Sequence, residues 1–151
     1  MKVTDLSRKA DNSTAAAKSL LEQGHTDDAA DRAYYAMFNA ARAALLAFGY
    51  EVEIHKTHKG VINAFSHHLV KQGIASPELA VSLKQAESTC IMADYRGDSV
   101  DPGVARDVVE QAEKFVAAMR EIIVSRCSSQ ASTIDHGDDQ QDCEPQDDLG
   151  R

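Results

Sequence analysis

The 151 residues hold 43% hydrophobic residues, no Trp, three Cys, and 16 basic against 24 acidic side chains, enough for one domain with a tail and too little for two cores. The formal charge of −8 is uneven: residues 127–151 carry seven acidic groups and one basic, so the body is close to neutral, which argues against broad electrostatic binding of nucleic acid. The longest purely apolar run, residues 43–48, is far short of the roughly 20 needed to span a bilayer, and MKVTDLSRKAD lacks the apolar centre of a signal peptide, so no membrane association and a cytoplasmic location are expected.

Taken in order, the chain reads as helices. The first covers about residues 4–23, with Leu6, Ala10, Ala17, Leu20 and Leu21 facing inward and Gly24 ending it; its Asp11-Asn12-Ser13-Thr14 stretch is poor helix material that admits a kink or an earlier break. The second, residues 26–49, is the longest helical pattern, with Thr26 as N-cap and Gly49 as terminator. Tyr34, Phe38, Ala41, Leu45 and Phe48 form a wide apolar stripe, and Ala29, Ala33, Ala36, Ala40, Ala43 and Ala47 a second, smooth one. A helix apolar on two faces is the centre of a bundle, clasped by antiparallel companions. Thr57 caps a third helix, with Val61, Ile62, Phe65 and Leu69 inward, running to Gly73.

Ser76-Pro77-Glu78 starts a fourth helix by N-cap, N1 proline and first-turn acid, and Leu79, Leu83, Ala86, Cys90 and Ala93 form its stripe. Arg96-Gly97-Asp98-Ser99 is a turn, and Val104, Val108, Ala112, Phe115, Met119 and Ile122 give a fifth helix ending near Arg126. The fold class is thus all-α, an antiparallel bundle of about five helices over residues 1–126, with a disordered acidic tail over 127–151. Cys90, Cys127 and Cys143 are odd in number and give neither a disulfide scaffold nor a metal-ligand set, so free thiols are expected.

Three stretches carry a resemblance to a known family: Arg32-Ala33-Tyr34-Tyr35-Ala36-Met37-Phe38 on the second helix, Thr57-His58-Lys59-Gly60 followed by Phe65, and Ala93-Asp94-Tyr95 at the end of the fourth helix. In order and spacing they resemble the HEPN superfamily, in the branch of small helical proteins encoded beside minimal nucleotidyltransferases. The resemblance implies a helical bundle, a homodimer, and a two-part toxin–antitoxin-like or defence module with a nucleotidyltransferase-type partner. Many HEPN proteins are metal-independent ribonucleases whose motif is an Arg followed after four to six residues by a His, where the guanidinium holds phosphate and the imidazole moves a proton at the ribose 2′-OH. That pair is missing: no Arg here has a His five to seven positions later. Cys90 and Tyr95 stand where the motif would fall, and neither replaces it, since a thiol cannot clamp phosphate and a phenol is a poor base at neutral pH. The expectation is a non-catalytic interaction module without cofactor, with no catalytic residue assigned.

The candidate groove for a ligand or partner comprises Arg32, Tyr35, Asp94, Tyr95 and Arg96. Arg32 sits among apolar neighbours and is expected to be buried against Asp94; Tyr34 belongs to the core stripe, and Tyr35, about 100° round the helix, reaches a groove or a dimer seam. Two alternatives belong to other classes: a ribonuclease built from Arg32, Tyr95 and Arg96, and a module binding RNA or a nucleotide beside the second helix. His55, His58, His67 and His68 lack a third ligand at useful spacing, so they read as surface or cap residues and no metal site is expected.

Overall fold

A computed structural model describes residues 2–50, 57–97 and 99–133, the side chains of 94–96 and 129–133 excepted. Among the described residues there are five helices and no strand: α1 (Val3–Glu22), α2 (Thr26–Ala47), α3 (His58–Ala64, continued by a π-helical turn at Phe65–Val70), α4 (Pro77–Arg96) and α5 (Pro102–Thr133). No helix among them is long and apolar enough to cross a membrane.

The helix α2 is the centre, touching each of the other helices and packing most extensively on α1 and α5. Every residue of its two predicted stripes is buried except Phe48, which is half-buried, and Met37, Asn39 and Ala44 join them. The alanine face explains the closeness of α1, because side chains of one carbon let two backbones approach. Val3 and Leu6 meet Ala43 and Ala47 at one end, so α1 runs antiparallel to α2. The start of α5, at Ala105, lies by Ala30, and its Arg126 guanidinium lies 5.1 Å from the Phe48 ring centroid at the far end, so α5 runs alongside α2 in the same direction. In α4, the Cys90 thiol donates to the Ala30 carbonyl oxygen at 3.6 Å, which lays the second half of this antiparallel helix along the first turns of α2.

Local chemistry sets most of the helix ends. The Gly60 N–H donates to Thr57 Oγ1 at 2.9 Å, and the Glu78 N–H to Ser76 Oγ at 3.2 Å, as the two caps require. Gly97, at φ 76°, closes α4 in the left-handed conformation that favours glycine, its N–H on the Ala93 carbonyl.

Five expectations need correction. Thr26 is the first residue of α2, not its cap; His25 stands there without a side-chain bond, and the end is held instead by Asp27, which accepts from the Val100 N–H at 2.6 Å. No break occurs at residues 11–14: the Thr14 hydroxyl donates to the Ala10 carbonyl at 2.8 Å, and Asp11 pairs with Arg120 of α5, so tertiary contacts override weak propensity. Val104 is exposed while Ala105 is buried in its place, and α5 continues past Arg126 to Thr133. Cys127 is disulfide-bonded, against the expectation of free thiols. The acidic tail beyond residue 133 lies outside the described residues.

Candidate functional site

On α2, Arg32, Tyr35, Phe38 and Arg42 follow each other at steps of three, three and four, which keeps them on one side of the helix. Arg32 is exposed and its Cζ lies 4.9 Å from the Tyr35 ring centroid; the Arg42 Cζ lies 5.6 Å from that of Phe38. The two rings are stacked with centroids 6.2 Å apart. The face is thus two stacked rings flanked by two guanidinium groups, each guanidinium–ring pair contributing about 0.5–1 kcal/mol where exposed.

A third element completes it. Because Thr57 caps α3, His58 is fixed as the first helical residue, and its ring lies 4.5 Å from Phe38 and 5.2 Å from Tyr34, edge-on to the latter. An imidazole and a guanidinium therefore lie against the same phenyl ring.

Tyr34 lies behind this face, on the buried side of Phe38 and His58. Its ring is buried and its hydroxyl has no hydrogen-bond partner among the described residues. Burial, followed by the nearby Glu87 carboxylate and Cys90, pushes its phenol well above the usual tyrosine range, so it stays neutral. No group of three or more His, Cys, Asp or Glu among the described residues could hold a metal ion.

Of the five residues proposed from sequence, the structure brings Arg32 and Tyr35 together. It does so differently from expectation: Arg32 is exposed over the Tyr35 ring rather than buried. Asp94, Tyr95 and Arg96 form the last turn of α4, and their side chains, with the proposed Arg32–Asp94 pair, lie outside the described residues. Phe38 as a shared platform, Arg42 and His58 were not among the candidates. Arg42 was legible as the i+4 neighbour of Phe38; His58 was not, since its place depends on how the third helix docks.

The family model of the HEPN domain matches residues 3–122. A UPF0332 protein of Gloeobacter violaceus is 33% identical over 121 residues, 79% of this chain and 94% of that protein. A protein of Methanocaldococcus jannaschii that bears the name Putative toxin is 32% identical over 118 residues, 76% of this chain and 86% of its own. A UPF0332 protein of Thermotoga maritima is 32% identical over 109 residues, 71% of this chain and 80% of its own.

Proposed function

This chain belongs to the HEPN domain family, and on that basis we propose that it is the HEPN subunit of a toxin–antitoxin-like module: a cytoplasmic homodimer, without catalysis of its own, that binds a nucleotidyltransferase-type partner. The toxin name of one relative supports the module. The absent Arg/His motif supports a non-catalytic role. The observation that carries the reading is the face of α2: on a helix otherwise given over to the core, Arg32 and Tyr35 stand exposed beside half-buried Arg42, the guanidinium groups lying over the Tyr35 and Phe38 rings and, among the described residues, in no ion pair. Arg and Tyr are the side chains that most often anchor a protein interface.

The test is co-purification with a nucleotidyltransferase encoded next to this protein. Capture by the wild type that is lost in Arg32→Ala/Tyr35→Ala is the expected result; no capture by the wild type refutes the partner.

One observation favours a second reading. Arg42 and His58, distant in sequence, both lie against Phe38, and together they offer the phosphate clamp and proton carrier that the sequence motif lacks. Metal-free cleavage of an RNA panel that disappears in His58→Ala would promote this reading over the non-catalytic one.

A further inference from the structure

Both α4 and α5 pack on α2 and touch each other at few points, which leaves between them a groove of about 510 Å³ lined by Val81, Gln85, Ser88, Val104, Lys84 and Asp107 among others. Across it the Ser82 hydroxyl donates to Gln111 Oε1 at 2.9 Å, linking the two walls. Of the six large hydrophobic side chains exposed among the described residues, Val81 at 52% and Val104 at 42% line this groove, and Met92 at 46% lies on the Val81 side of α4. Isolated exposed hydrophobics need no explanation, but a concentration on one face does.

The pattern on α4 is regular. Val81, Gln85, Ser88 and Met92 step by four, three and four on the side opposite Leu83, Ala86 and Cys90, so the helix has a second seam of the spacing by which two helices interlock. The short Ser88 at its middle leaves room for a close approach. Two charges then select the occupant. Lys84 on the α4 wall and Asp107 on the α5 wall are both exposed, and among the described residues neither joins an ion pair within the protomer. A two-fold axis through the groove turns one such Lys and one such Asp into two complementary pairs.

We infer that a second copy of this chain seats its α4 seam in this groove, Lys84 of each copy facing Asp107 of the other. The surface supplies ridge, groove and both signs of charge from one patch, which is what an isologous interface needs. The inference rests on the dimeric reading above and assigns its seam.

The test is the mass of the full chain in solution at micromolar concentration, by light scattering, with circular dichroism to confirm the helices in each variant. The wild type is expected at about twice 16.4 kDa. Met92→Glu and Lys84→Asp should each halve that mass, and Lys84→Asp combined with Asp107→Lys should restore it. A wild type that stays dimeric in both single variants overturns the seam and leaves the homodimer standing. A double variant that remains monomeric overturns the Lys84–Asp107 pairing, and a monomeric wild type overturns seam and dimer together.

Discussion

Tyr34 and Tyr35 are neighbours in sequence, and the 100° between them on α2 sends one phenol under α4 and the other into solvent, where it is 41% exposed. The buried hydroxyl lacks a partner among the described residues, so Tyr34→Phe should leave stability unchanged or raise it by about 1 kcal/mol, measured as the midpoint of urea unfolding. A loss above that size would reveal a hydrogen bond the fold depends on. The raised phenol pKa gives a pH prediction of fixed sign. Above about pH 10 the unfolded chain releases the Tyr34 proton while the folded chain keeps it, so this group's contribution is complete below pH 10 and falls as pH rises from there toward the folded value. In ultraviolet titration, one of the four tyrosines should ionise late, and it should be the one missing in Tyr34→Phe. Arg32→Ala should cost less than about 0.5 kcal/mol of stability, because the guanidinium is exposed; a larger cost would restore the buried ion pair expected from sequence.

At the scale of elements, the helix starts at Thr57 and Ser76 and the stop at Gly97 were legible because each is decided by side chains within four residues. What was not legible depends on remote partners. The start of α2 is held by Asp27 through Val100, 73 positions away, and Asp27→Ala should therefore lower stability by about 1–2 kcal/mol by leaving that N–H without its acceptor. The third helix was read as one run to Gly73, whereas it widens into a π turn at Phe65. That turn keeps Phe65 and Leu69 fully buried, with the Phe65 and Phe115 ring centroids 5.5 Å apart, an arrangement no local pattern announces. Phe65→Ala should cost about 3–5 kcal/mol in denaturant unfolding; an effect under 1 kcal/mol would show that the turn does not anchor α3.

Over the whole molecule, two surfaces differ in kind. The α2–α3 face offers guanidinium and imidazole against aromatic rings, chemistry suited to a partner or phosphate, whereas the α4–α5 face offers apolar side chains with one charge of each sign. The central helix and its two apolar stripes could be read directly from α2, because that helix carries its periodicity unbroken over its length. The site could be read only in part. Arg32 and Tyr35 stood out in the sequence, while Arg42 and His58 gained meaning when packing brought them to Phe38. The central claim, a HEPN subunit that docks a nucleotidyltransferase-type partner through Arg32 and Tyr35, is tested most directly by calorimetric titration of that partner into the wild type and into Arg32→Ala/Tyr35→Ala. Saturable binding that weakens at least about tenfold in the variant, a change of about 1.4 kcal/mol, is the predicted result. Equal affinity for both proteins, or no binding to either, would contradict it.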